Sequence, residues 1–190
     1  MSQEDSADQC PPQKMADAVE ALQADDAKGL RRIAELLGEY PRDARLHFLR
    51  GSVLASLQRY NDAHTAMVAA VELQPDFDIA RFQLGFLELT SGDATAAVVT
   101  WQPLEDLAAD DPLRLFARGL LFLIRDDFTQ SIDTLRRGMS LNRDNPNLNS
   151  DMQMIVDKIE GDSPGRGDDP ETTSSAQMML RQSATKETRH

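Results

Sequence analysis

The sequence predicts an all-α chain of stacked helix pairs, on three observations. Gly51, Gly85 and Gly119 recur at equal intervals of about 34 residues, a length typical of one helix–turn–helix unit. Ala, Leu, Asp, Arg and Glu dominate while aromatics make up only 5%, a blend that favours helices over strands because straight side chains lose little rotamer freedom in a helix. Asp111-Pro112 and Asn145-Pro146, spaced by the same interval, pair a capping side chain with proline at the first helical position. The 190 residues suffice for a short array with tails.

Residues 1–12 read as a polar, disordered leader with nothing to bury, and Cys10 falls in it. From Gln13, Met15, Ala18, Val19 and Leu22 recur at helical spacing. Asp25-Asp26 can cap a second helix carrying Leu30, Ile33, Leu36 and Leu37. This pair, 13–41, has Asp17 where the later units have glycine and reads as a degenerate capping unit, which an array needs because its end has one neighbour.

The unit 44–77 is the clearest, with Gly51 and Ala63 small where two helices of a hairpin must approach and Pro75 ending the second helix. The unit 78–111 turns at Gly92-Asp93 and has Ala97 at the close crossing. Pro103 falls where its second helix should still be running, which predicts a kink or break near Gln102. The unit 112–145 carries Gly119, Phe122, Phe128 and Leu135, with Ser131 and Gly138 in place of two alanines. A last helix, 146–160, carries Leu148, Met152, Ile155, Val156 and Ile159. Residues 161–190 shift to Asp, Ser, Pro, Gly and Thr and read as a disordered tail, with one apolar island at 176–181.

A small residue at position eight, an aromatic at seventeen, alanine at twenty and twenty-seven and proline at thirty-two resemble the tetratricopeptide repeat. The resemblance covers about residues 13–160. It implies a right-handed α-α superhelix of four helix hairpins plus a capping helix, and a non-catalytic scaffold, adaptor or assembly chaperone. In the family, the first helices line a concave groove. Matching its groove positions to this sequence yields Phe48 and Ser52, then Phe82, Phe86 and Leu89, then Phe116, Leu120 and Leu123. Positions five, nine and twelve share a helix face, so these residues should form an exposed apolar stripe, strengthening toward the later units, for an apolar or amphipathic peptide. The cationic residues of a carboxylate clamp are missing from those positions.

The alternative is a homo-oligomerisation module whose apolar face is buried between copies. Phenylalanines at helical spacing also serve as ordinary core, and the stripe could be covered by a homodimer mate or by the tail island 176–181. Arg50 and Arg118 lie away from this face and should snorkel or pair with carboxylates such as Glu88.

The net charge of −12 argues against nucleic acid as a partner. No apolar run is long enough to insert in a membrane, the polar start is unlike a signal peptide, and a single cysteine suits a reducing compartment, so the expected location is cytoplasmic. His47, His64 and His190 lack a second ligand at metal spacing, and neither a phosphate loop nor a nucleophile motif occurs. The expectation is therefore no enzyme, no metal and no cofactor.

Overall fold

The computed structural model describes residues 9–161. The expectations for residues 1–8 and for the tail, including 176–181, lie outside them. The described residues form nine α-helices without a strand: α1 (Pro12–Ala24), α2 (Asp26–Glu39), α3 (Ala44–Ser56), α4 (Tyr60–Leu73), α5 (Asp78–Thr90), α6 (Ala94–Trp101), α7 (Pro112–Ile124), α8 (Phe128–Leu141) and α9 (Pro146–Gly161). The chain divides into two units, Met1–Leu87 and Glu88–His190. The starts of α3, α5, α7 and α9 repeat the spacing of the sequence glycines, as do those of α2, α4, α6 and α8.

The same period appears in the turns. Gln58, Gly92 and Asp126 all have positive φ (60°, 95° and 58°), and each ends the first helix of a hairpin. The next residue's N–H reaches back five positions, from Arg59 to Leu54 O (2.9 Å), Asp93 to Glu88 O (2.9 Å) and Asp127 to Phe122 O (3.0 Å). Gln58, Gly92 and Asp126 close the inner bond to Ala55, Leu89 and Leu123 at 3.0 Å each. These are the two bonds of a Schellman motif, which satisfies helix-end carbonyls by passing one residue through the left-handed region. Only at 92 does the sequence supply the glycine that this backbone prefers.

Aspartates start the helices. Asp25, Asp43, Asp93, Asp111 and Asp127 accept from the first-turn amides of α2, α3, α6, α7 and α8, at 2.7, 3.0, 2.9, 2.8 and 3.2 Å for the shortest bond of each. Much of the acidic composition thus satisfies orphan N–H groups. Asn145 does the same for Leu148 (3.1 Å).

In the first unit, α3 and α4 close with almost no space between them. A Cβ added at Gly51 would stand 2.7 Å from Met67 Cγ and 3.3 Å from Ala63 O. Leu54, Ala63, Ala66, Met67, Leu84 and Leu87 form the core joining α3, α4 and α5. The degenerate hairpin solves the same problem from its other helix. Asp17 is exposed on α1, and Gly29 of α2 supplies the contact, packed on Leu22 so that a Cβ would lie 2.8 Å from its Cα. Gly29 stands one repeat before Ala63, in register with Ala97 and Ser131. One residue, Asp25, joins α1 to α2, ending the first helix and capping the second.

In the second unit α6 stops at Trp101 and a 3-10 helix, Gln102–Asp106, takes over. Pro103 has no N–H for an α-helical bond, and the tighter coil leaves it exposed while Leu104 and Trp101 are buried. Gly119 closes on Leu135, where a Cβ would stand 2.6 Å from Cδ2. α9 packs on α8 and buries Leu148, Met152, Ile155, Val156 and Ile159. Its outer face exposes Met154 among polar residues, with Gln153 Nε2 donating to Asp157 Oδ1 at 2.6 Å.

Candidate functional site

The first helices of the hairpins place the eight expected groove residues unequally. Phe82, Leu89, Phe116 and Leu120 are 0% exposed and Leu123 is 1% exposed. These five belong to the core, which corrects the expectation of an open stripe growing more apolar toward the last unit. For Phe116 the cause is visible: its ring lies against α8 at Gly138, where a Cβ would stand 2.7 Å from Cδ1 and Cε1. The glycine that replaces alanine there makes room for the ring and turns a groove position into a hairpin contact.

Phe48, Ser52 and Phe86 remain half-buried. Phe48 meets Phe77 edge-on, with centroids 5.1 Å apart and planes at 63°, and Phe86 stacks on Phe82 at 6.2 Å and 11°. Both arrangements suit the ring quadrupole and hold each exposed ring in a fixed pose. Ser52 Oγ donates to Phe48 O at 3.0 Å, which leaves its lone pairs on the surface as acceptors.

Beside α3 lies a polar assembly that has no marker in the sequence. Asp43, 2% exposed, caps α3 and also accepts from the Cys10 N–H (2.7 Å) and from Arg45 Nη2 (2.6 Å). Arg45 Nη2 in turn donates to Cys10 O at 2.8 Å. The peptide groups on both sides of Cys10 are therefore held, and its side chain sits in a core with Ala18, Ile33, Leu36 and Leu46. The leader expected over 1–12 is thus corrected at its end: Cys10 is docked and Pro12 opens α1. Burial opposes ionisation of Asp43, but the bonds from Arg45 and the Cys10 amide outweigh it and hold its pKa below the ordinary value. Burial, aided by the Asp43 charge, pushes the Cys10 thiol up, so it is a poor nucleophile. Nearby, Lys14 pairs with Glu39, tying α1 to α2.

Arg118 pairs with Glu105 (Nε to Oε1, 3.4 Å), and Arg114, which donates to Leu107 O at 2.6 Å, approaches the same carboxylate at 3.6 Å. The carboxylate partner of Arg118 thus comes from the 3-10 helix. Among the described residues no group of His, Cys, Asp and Glu is placed to hold a metal ion, and no helix is long and apolar enough to cross a membrane.

No family model and no curated protein matches the chain. Solved structures do. "MamA 41-end from Desulfovibrio magneticus RS-1" matches with a TM-score of 0.56 at 16% identity, over 80% of this chain and 96% of that one. The "MamA RS-1 ArsTM double mutant" matches with a TM-score of 0.56 at 17% identity, over the same shares. The likeness is one of fold: this chain is an all-α helical repeat of the kind seen in MamA.

Proposed function

We propose that the chain is a non-catalytic, tetratricopeptide-type scaffold that holds an apolar or amphipathic segment of another protein against the first helices of its hairpins. The supporting observation is the pair of half-exposed, ring-braced phenylalanines, Phe48 on α3 and Phe86 on α5. Rigid aromatic side chains that keep part of their surface in water are the usual anchors of a protein interface. Recognition would come from apolar side chains spaced to meet both rings, with Ser52 accepting one hydrogen bond. Of the expected stripe, buried Phe82 serves this face by packing under Phe86 rather than by contact with the partner. Coverage of the face by the tail island 176–181 remains part of the proposal.

The test is selection of peptides from a displayed random library on the full chain, repeated on Phe48→Glu/Phe86→Glu. Enrichment of sequences with apolar residues at i, i+3 or i+4, lost in the variant while the helical circular dichroism is kept, supports the reading. Equal enrichment on both proteins, or none on either, removes it. Deleting residues 161–190 should strengthen capture if the tail competes for the face.

A further inference from the structure

α6 lacks the polar outer face that a surface helix needs. Ala94, Ala97 and Trp101 are buried in the second unit, as is Leu104 of the 3-10 helix that follows. Thr95, Val98, Val99, Gln102 and Pro103 fall at i, i+3, i+4, i+7 and i+8 on the other side, and all five are exposed, Val99 at 65%. Residues 94–104 contain no charged side chain. A helix that is apolar all round is normally covered. The repeat shows that this face is peculiar to α6. One period later α8 has Asp133 in place of Val99, Arg136 in place of Gln102 and Arg137 in place of Pro103, and one period earlier α4 has His64 and Thr65 in place of the two valines.

The stripe ends in acid. Asp106 and Asp110 are exposed, and neither carboxylate has a hydrogen bond or ion pair among the described residues, whereas Glu105 is held by Arg114 and Arg118. The chain itself carries a segment of the complementary chemistry. Residues 162–190 contain one apolar run, Met178-Met179-Leu180, and Arg181 follows it directly. From 172 to the end, Arg181, Lys186 and Arg189 stand against Glu187 alone, a net charge of +2 in a chain whose total is −12. The fourteen residues 162–175 separate the run from the end of α9, which belongs to the same unit as α6. Extended, they reach about 46 Å at about 3.3 Å per residue, roughly twice the length of α9 itself.

We propose that the chain's own C-terminal segment covers α6, with Met178, Met179 and Leu180 packed on Val98, Val99 and Pro103 and Arg181 at Asp106. The tether holds the segment at an effective concentration on the order of millimolar, enough to fill a seat that would bind the free peptide weakly. This seat is apart from the Phe48 and Phe86 face and does not rest on the function proposed for that face. The island reaches the phenylalanines only after leaving α6.

Pairs of cysteines in the full chain test the seat. Under mild oxidation at low micromolar concentration, Val99→Cys/Met179→Cys should close within one chain roughly tenfold faster than Asp133→Cys/Met179→Cys, which asks the tail to meet the same register position on α8. Ser52→Cys/Met179→Cys, which reports the phenylalanine face, should be as slow as the α8 pair. Adding Asp106→Lys to the first pair should slow its closure several-fold. Val99, Asp106 and Asp133 are exposed, so helical circular dichroism should not change, and native Cys10, 1% exposed, stays out of the exchange. Equal closure of the three pairs, fastest closure of the Ser52 pair, cross-linking between chains rather than within one, or a rate indifferent to Asp106→Lys would each overturn the inference.

Discussion

Replacing Asp43 with alanine should open the first hairpin, and the lone cysteine can report it. The substitution removes the cap of α3 and strands the buried Cys10 amide, with no acceptor in place of a carboxylate oxygen 2.7 Å away. A lost cap costs about 1 kcal/mol and an unsatisfied buried donor about 1–3 kcal/mol, which together put the local loss at roughly 2–4 kcal/mol. At about 1.4 kcal/mol per decade, the open population should rise roughly thirty- to several-hundredfold. Cys10 is 1% exposed, so a thiol reagent reaches it only through opening, and its rate of modification under native conditions should rise by that factor. Asp43→Asn keeps an accepting oxygen and should fall between parent and alanine. A modification rate in Asp43→Ala equal to the parent's would refute the clamp, as would a parent rate matching that in strong denaturant. Acid should act on the same group. The folded pKa of Asp43 lies below its ordinary value. Its contribution is therefore complete above about pH 4 and is lost as pH falls through the depressed folded value. Melting curves should lose stability on that limb in the parent and lose less in Asp43→Asn.

Two further substitutions test the packing of α7 on α8. Ser131 Oγ is fully buried without a partner among the described residues, at the register position filled by Ala63 and Ala97, so Ser131→Ala should raise the urea midpoint by an amount worth about 1–2 kcal/mol. A lowered midpoint would mean the hydroxyl has a partner. Gly138→Ala adds a helix-favouring methyl, worth about 1 kcal/mol, but drives it into the Phe116 ring, and overpacking of about 1–3 kcal/mol should win. In a Phe116→Leu background the same change should cost less, and denaturation of the four proteins of that cycle checks it.

Much of this architecture was legible because it is local and periodic. Capping aspartates act within the first helical turn, Pro103 breaks the helix that contains it, and the glycines at 51 and 119 repeat with the hairpin crossings they serve. Gly29 is legible by carrying the Ala63 register back one period, although it stands on the helix opposite position 17, where the later units have their glycine. Phe116 marks a real limit. Helical phase places it on the expected face of α7, yet whether that face meets solvent depends on Gly138, on the far side of a turn in α8. Cys10 is hidden for the same reason, since its neighbours are polar and its anchor, Asp43, lies beyond two intervening helices. Sequence periodicity reports which way a side chain points; the residues that cover it are chosen by contacts the period does not encode.

The turns at Gln58, Gly92 and Asp126 also bear on how the chain acquires its structure. Each is closed by two bonds between near neighbours in the chain, so its geometry is specified before anything distant has formed. Contacts so close in sequence assemble quickly, because little loop entropy is lost in making them. The three later hairpins should therefore nucleate independently. The first has no such turn and is secured partly through the bond from Cys10 to Asp43. That bond spans 33 residues, so the start of the first hairpin gains its anchor only once α3 is in place, and it is there that the chain should fray first.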